Sequence, residues 1–127
     1  MVLGERRPAP HSDVVTAAGV DHVRLSYLYA DEGDVEGLES LLHLDPQVAA
    51  PREVAHGGRP EVLQVLAPVG AAPGRHLLSR VIAEGDCVAA VGKLTTARAE
   101  VEFADIFTIG PDGLLAGCRR FYSATSP

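Results

Sequence analysis

The segment 101–109 carries the residue best placed to do chemistry. Its composition favours a β-strand, in which successive side chains point to opposite faces of the sheet. Asp105 then shares a face with Phe103 and Phe107, the apolar face that a sheet buries. Burial of an unpaired carboxyl group raises its pKa and leaves an acid or base with unusual strength. Asp105 is therefore the candidate general acid or base, and Phe103 and Phe107 are candidate walls of a pocket.

An ion pair is the alternative explanation for a carboxyl group at this position. The segment 114–123 predicts the next strand and carries Arg119 and Arg120, either of which could neutralise Asp105 across a hairpin. One face of this strand presents Cys118, Arg120 and Tyr122, three side chains that could line a pocket. A tyrosine at such a place supplies an apolar wall and one hydrogen-bond donor. Both explanations of Asp105 stay open at this point.

Two of the five histidines could assist in proton transfer. His76 begins the first long predicted strand, from which its imidazole could reach the pocket as a base. His22 lies four residues before Ser26, hence on the same face of a predicted helix, and could relay a proton if that face is turned inward. No histidine pair has the spacing of a zinc-binding helix and no cluster of cysteine and histidine occurs, so we expect no metal.

The elements that must position these residues are helices first and strands afterwards. Helices are expected over 12–32, then from an Asp34 cap, then from Pro60; the second should place Val35, Leu38, Leu41 and Leu42 on one face. Short extended pieces are expected around Val48 and Val54. Strands are expected over 77–83, 87–95, 101–109 and 114–123, and glycine-containing turns at 84–86 and 110–113 separate two pairs of them. This order predicts an α+β domain with an antiparallel sheet.

Length and charge narrow the classes of function. The 127 residues suit one domain, 12–127, preceded by a mobile tail over 1–11 with two prolines and a glycine. The net charge is −6 and the basic residues are scattered, which argues against a nucleic-acid or membrane partner. With no apolar signal segment or membrane span in the sequence, we expect the chain in the cytoplasm. One disulfide between Cys87 and Cys118 is conceivable, but two reduced cysteines are expected.

Several segments, taken in order, resemble the nuclear transport factor 2-like superfamily. They are 27–35 (YLYADEGDV), 48–51 (VAAP), 56–62 (HGGRPEV), 81–88 (VIAEGDCV), 112–113 (DG) and 119–122 (RRFY). The match covers roughly 14–124, and within the superfamily it is closest to SnoaL-like polyketide cyclases and ketosteroid isomerases.

The resemblance implies a cone, in which about three N-terminal helices close a curved antiparallel sheet (a cystatin-like α+β roll) around a hydrophobic pocket. It implies a homodimer formed through the outer face of the sheet, no cofactor, and an inward-facing Tyr122. The segment with Asp105 matches the strand that supplies a protonated aspartate in the isomerases and an acid/base aspartate in the cyclases.

The sequence also departs from the isomerase pattern. The position of the general-base aspartate, before Pro51, holds Ala50. The tyrosine of the first helix falls nearest Ser26, and Tyr27 is one residue away, a turn of about 100° on a helix. Both residues are kept as candidates for contact with the ligand.

Two functions follow as expectations. The first is a SnoaL-like, cofactor-independent cyclase, isomerase or dehydratase of secondary metabolism that acts on an apolar carbonyl or polyketide-like compound. In it Asp105 is the acid/base, His22, His76 or Tyr122 assists, and Arg120 pairs with Asp105 or lies at the rim. The second is a non-catalytic domain of the same fold that binds a small molecule or a protein. A carboxyl group on the apolar face, Asp105, favours the enzyme, and the absence of a carboxyl group at Ala50 favours the non-catalytic domain.

Overall fold

The structure, a computed structural model, describes residues 13–43, 58–66 and 74–123. Three helices come first: α1 (Asp13–Glu32), α2 (Val35–Glu39) and α3 (Gly58–Leu66). Four strands follow: β1 (Gly74–Glu84), β2 (Cys87–Thr96), β3 (Glu100–Ile109) and β4 (Leu115–Tyr122). This α+β order is the predicted one. The expected tail, the Ser12 cap, the extended pieces around Val48 and Val54, and Ala50 lie outside the described residues.

The four strands form one antiparallel sheet in chain order, β1-β2-β3-β4. Two tight turns occur where the sequence predicts them, because each contains a glycine with a positive φ. Gly85 has a φ of 61° in the β1–β2 turn, and Gly113 has a φ of 83° before β4. Such a φ is easily reached only by glycine.

One face of the sheet is buried, and an irregularity in β1 keeps that face continuous. The register of β1 against β2 shifts between Leu78 and Arg80, which is a β-bulge at Ser79. The extra residue changes the alternation, so His76 and Leu78 before the bulge share the inward face with Val81 after it. The start of β1 at Gly74 is earlier than expected, and His76 therefore lies inside the strand instead of opening it.

The sheet bends toward its buried face at Gly92 of β2. A Cβ atom at this position would lie 2.2 Å from the carbonyl oxygen of Leu77 and 2.9 Å from the Cα of Leu78. The backbone of β1 therefore passes over a position that only glycine can occupy without displacement. The bulge and this close approach together fold β1 inward, as curved sheets require.

The helices cover the buried face and complete the core. Asp34 caps α2 by accepting a hydrogen bond from the Gly37 amide at 2.8 Å, as the sequence predicts. The helix itself is shorter than expected, and the chain leaves it to form an isolated bridge between Leu42 and Leu115 of β4. The largest buried side chains of the core are Phe107, Leu38, Ile109, Leu115, Val23, Val62 and Val88.

Two further expectations concern the chain as a whole. Neither Cys87 nor Cys118 forms a disulfide, as expected for reduced cysteines. Among the described residues, no helix combines the length and the apolar character that crossing a bilayer requires.

Candidate functional site

The side chain of Asp105 has 0% of its surface exposed. It lies in the middle of β3, opposite Arg120 of β4, and its neighbours on the same face, Phe103 and Phe107, are buried as well. The prediction that Asp105 points to the apolar face is therefore confirmed.

Three hydrogen bonds occupy the carboxylate of Asp105. The Nε atom of Arg120 donates to Oδ1 and its Nη2 atom donates to Oδ2, both at 2.7 Å. The phenol of Tyr27 on α1 donates to Oδ2 at 2.6 Å. Asp105 accepts in all three bonds, so in this arrangement it carries no proton. The ion-pair alternative is the one that the structure shows, with Arg120 rather than the exposed Arg119.

The network fixes one protonation pattern. Burial raises the pKa of Tyr27 far above its ordinary value, and the charge of Asp105 raises it further. Burial alone would lower the pKa of Arg120, but the hydrogen bonds and charge of Asp105 outweigh it, so the pKa is raised. Tyr27 is a phenol and Arg120 a cation at neutral pH. Both oxygens of Asp105 are therefore engaged by donors, and its expected acid/base role stays a prediction.

The guanidinium group of Arg120 lies between two aromatic rings. Its carbon is 4.4 Å from the ring centre of Phe103 and 5.8 Å from that of Tyr122. The side chain of Arg120 is 7% exposed, whereas Tyr122 is 56% exposed. Tyr122 thus shares the inward face of β4 with Arg120 but lies at its open end, not in the interior where we expected it.

A second, partly buried pair, His76 and Asp31, adjoins this network. The Nδ1 atom of His76 lies 2.6 Å from Oδ1 of Asp31, and the backbone amide of His76 donates to Oδ2 at 2.9 Å. Because the carboxylate is the acceptor in both contacts, Nδ1 carries the proton and Nε2 has the lone pair. The imidazole packs against Tyr27 and Phe103, with ring centres 5.0 and 5.4 Å apart.

The Nε2 atom of His76 is buried and has no hydrogen-bond partner among the residues that the structure describes. Its side chain is only 7% exposed. Burial lowers the pKa of His76 below its ordinary value; the hydrogen bond with Asp31 opposes this without outweighing it, and the charge of Arg120 adds to the lowering. The result is a neutral imidazole at pH 7 with a free, oriented lone pair.

Sequence reasoning missed Asp31, although α1 carries a signal for it. Asp31 lies four residues after Tyr27, so the two side chains share one face of the helix. Tyr27 points inward, which settles the one-residue ambiguity with Ser26. Ser26 is buried too, but its hydroxyl donates to the carbonyl of Val23 in its own helix at 2.6 Å.

Of the two remaining predicted site residues, His22 lies elsewhere in the fold, whereas Cys118 lies close enough to Tyr27 to raise its pKa. The Nδ1 atom of His22 contacts the carbonyl oxygen of Gly113 at 2.7 Å, so His22 holds the turn before β4 and not the Asp105 network. Cys118 is buried opposite Phe107 of β3. No group of three or more histidine, cysteine or acidic side chains within the described ranges could hold a metal ion.

A groove of about 580 Å³ opens mainly on the other side of the sheet. Its walls include side chains of the outward-facing positions Leu77, Val91, Lys93, Glu102, Ala104 and Phe121. This groove is distinct from the hydrophobic pocket that the sequence predicts beside Asp105.

Comparison with known proteins identifies the fold. No protein-family model and no curated protein matches the sequence. Among solved structures, the chain is similar to a candidate ketosteroid isomerase from Kribbella flavida, with a TM-score of 0.67. The sequences are 19% identical, and the similarity covers 88% of this chain and 83% of the other. The chain therefore shares the α+β fold of this solved structure, which agrees with the fold that the resemblance predicted.

Proposed function

We propose that the chain is a cofactor-independent enzyme that moves a proton beside the carbonyl group of an apolar small molecule. The reaction class is that of an isomerase, cyclase or dehydratase, and polyketide-like compounds of secondary metabolism are the substrates we favour. The fold supports this proposal, since a neighbour of the same fold is named as a candidate ketosteroid isomerase. The residue that carries it is His76.

The observation that carries the proposal is the lone pair on Nε2 of His76, which is buried and without a partner among the described residues. Buried polar atoms in folded proteins almost always have a hydrogen-bond partner, and exceptions concentrate where a ligand or reaction supplies one. Asp31 fixes the ring and the tautomer through Nδ1 at 2.6 Å. A neutral imidazole held by a carboxylate is a general base whose protonated form the carboxylate stabilises.

The proposed step begins when Nε2 of His76 removes a proton from the carbon next to the carbonyl group. The electron pair of the broken C–H bond moves to the carbonyl oxygen, which leaves an enolate and an imidazolium. Return of the proton to a different carbon gives isomerisation. Attack of the enolate carbon on a second carbonyl gives ring closure, and the new alkoxide takes the proton from the imidazolium. Departure of a β-hydroxyl group that takes this same proton releases water and gives dehydration. The charge of Asp31 stabilises the imidazolium in each case.

A non-catalytic ligand-binding domain is the second candidate. The observation in its favour is that the three hydrogen bonds to Asp105 leave no free catalytic carboxyl group at that position. In this case Nε2 of His76 accepts a hydrogen bond from a ligand without moving a proton.

Deuterium exchange separates the two candidates. The protein is incubated in D₂O with 2-acetonaphthone or a β,γ-unsaturated 3-ketosteroid, and loss of the proton signal beside the carbonyl is followed by NMR. We expect accelerated exchange with at least one ketone, and a loss of about 100-fold or more in His76→Gln, a typical contribution of a general base. Because the pKa of His76 is lowered, its base form persists below the ordinary histidine value, so the rate should stay constant from pH 8 to about 6.5 and fall only below that.

The matched control is His43→Gln. The imidazole of His43 pairs with Asp112, which lies in the turn before β4 and outside the Asp105 network. This variant should keep the wild-type exchange rate. Binding of the ketones without accelerated exchange would establish the second candidate, and an unchanged rate in His76→Gln would remove the proposed base.

A further inference from the structure

The guanidinium group of Arg120 has hydrogen-bonding capacity beyond the ion pair. A guanidinium is planar and carries five N–H donors. Nε and Nη2 form the edge that faces Asp105, both at 2.7 Å. The end edge, formed by Nη1 and the second hydrogen of Nη2, points elsewhere. In the described part of the chain, the side chain of Tyr122 also forms a hydrogen bond with the guanidinium, which raises the pKa of Arg120 further.

Tyr122 is the exposed neighbour of the guanidinium on the inward face of β4. Tyr122 follows Arg120 on the inward face of β4, its side chain interacts with the guanidinium, and its ring centre lies 5.8 Å from the guanidinium carbon. Because Tyr122 is 56% exposed, its hydroxyl can turn toward an incoming molecule without breaking the core. Arg120, in contrast, is held by its hydrogen bonds to Asp105 and by the ring of Phe103, whose centre lies 4.4 Å from the guanidinium carbon.

Asp105 determines which kind of oxygen suits this edge. The carboxylate already balances the charge of Arg120, so the pair as a whole is neutral, yet the N–H groups remain strong donors. A carboxylate ligand at the end edge would meet the negative field of Asp105 a few ångströms behind the guanidinium. A neutral carbonyl oxygen meets no such penalty and gains strength as negative charge develops on it.

We propose that Arg120 and Tyr122 together bind the carbonyl oxygen of the ligand and stabilise it as negative charge develops. The inference rests on the proposed function, because it supplies the oxyanion donors that a reaction initiated by His76 requires. It makes Arg120 a catalytic residue, Tyr122 its second donor, and Asp105 the positioning residue that both holds the guanidinium and excludes acids. The chemical class of ligand is a neutral, apolar ketone or similar carbonyl compound.

Three probes of one shape test this assignment. They are 2-acetonaphthone, which has a neutral carbonyl group, 2-ethylnaphthalene, which has none, and 2-naphthoate, which carries a charge; binding is measured by fluorescence titration. Arg120→Lys keeps a cation beside Asp105 but lacks the second edge. We expect it to weaken binding of the ketone about tenfold or more, the effect of one charged donor, and to leave 2-ethylnaphthalene within twofold. Tyr122→Phe should weaken only the ketone, by about two- to tenfold.

The wild-type protein provides a measurement that needs no variant. The carbonyl stretch of bound 2-acetonaphthone should move to lower wavenumber than in hexane, as strong donors require. An unshifted stretch overturns the assignment, as does an equal loss for ketone and hydrocarbon in Arg120→Lys, or tighter binding of 2-naphthoate than of the ketone. The His76→Gln variant should keep the shift of the carbonyl stretch and lose deuterium exchange. If it loses exchange and the stretch is not shifted, only the Arg120 assignment is overturned. If the stretch is shifted and exchange is undiminished, only the role of His76 is overturned.

Discussion

The Asp105–Arg120 pair shows how one buried interaction can be essential without being strongly stabilising. Removing two charges from water carries a penalty that their attraction and hydrogen bonds must offset, so the net contribution of a buried pair is often small. Loss of one partner is different, because it leaves an uncompensated charge at a site with almost no solvent. Here the guanidinium would be left between the ring of Phe103 and an uncharged side chain.

Asp105→Asn should therefore destabilise the protein by about 3 kcal/mol or more, the range found when one member of a buried pair is removed. Urea denaturation at pH 7 measures the loss. Asp112→Asn is the control, because Asp112 is 44% exposed and pairs with His43 at the surface. It should change the free energy of unfolding by less than about 1 kcal/mol. An Asp105→Asn variant as stable as the wild type would mean that the carboxyl group is protonated and the pair is not formed.

The sequence was sufficient to predict some of these residues and not others. Strand alternation alone places Asp105 on the buried face, and the neighbouring strand limits its partner to two arginines without deciding between them. The contact between Asp31 and His76 joins residues 45 positions apart, on a helix and a strand whose relative placement the sequence does not specify. His22 illustrates the converse, because helix periodicity gives its face but not which loop that face meets.

At the scale of elements, β1 decides whether His76 can reach the site. The bulge at Ser79 sets the face of the sheet on which His76 lies. The close approach of β1 to Gly92 bends the strand toward α1, which carries Asp31, the partner of His76. The strands and turns themselves were predictable from alternation and glycine placement. The bulge was not, because one extra residue in a strand leaves little trace in an apolar pattern.

Gly92→Ala should be strongly destabilising for this reason. The new methyl group would lie 2.2 Å from the carbonyl oxygen of Leu77, so the backbone of β1 must move. We expect a loss of about 3 kcal/mol, at the upper end for overpacking, together with loss of the His76-dependent exchange. Thermal and urea unfolding measure the first effect and NMR the second. Val91→Ala, at the adjacent outward position, should change stability by less than about 1 kcal/mol; similar losses in both variants would show that β1 does not pass closely over Gly92.

For the whole molecule, the unexplained surface is the outer face of the sheet. Four large apolar side chains are exposed there: Leu77, Ile82, Val91 and Phe121. Contiguous apolar surface on a folded domain usually marks a site of association. In the groove on this face, Lys93 of β2 lies directly opposite Glu102 of β3, so the surface carries a positive and a negative side chain. In a two-fold dimer, the lysine of one copy can meet the glutamate of the other. The homodimer that the resemblance implies stays a prediction, and this face is its candidate interface.

Val91→Glu tests that prediction, because it places a charge among apolar side chains near the middle of the face without touching the core. Sedimentation equilibrium should find a dimer for the wild type and a predominantly monomeric Val91→Glu variant, since a buried, unpaired carboxylate would be costly at an interface. Val35→Glu is the control: Val35 on α2 is comparably exposed but lies away from the sheet, so this variant should remain dimeric. A monomeric wild-type protein, or equal dissociation of both variants, would rule out the outer face as the interface, and the apolar surface would then need a different partner.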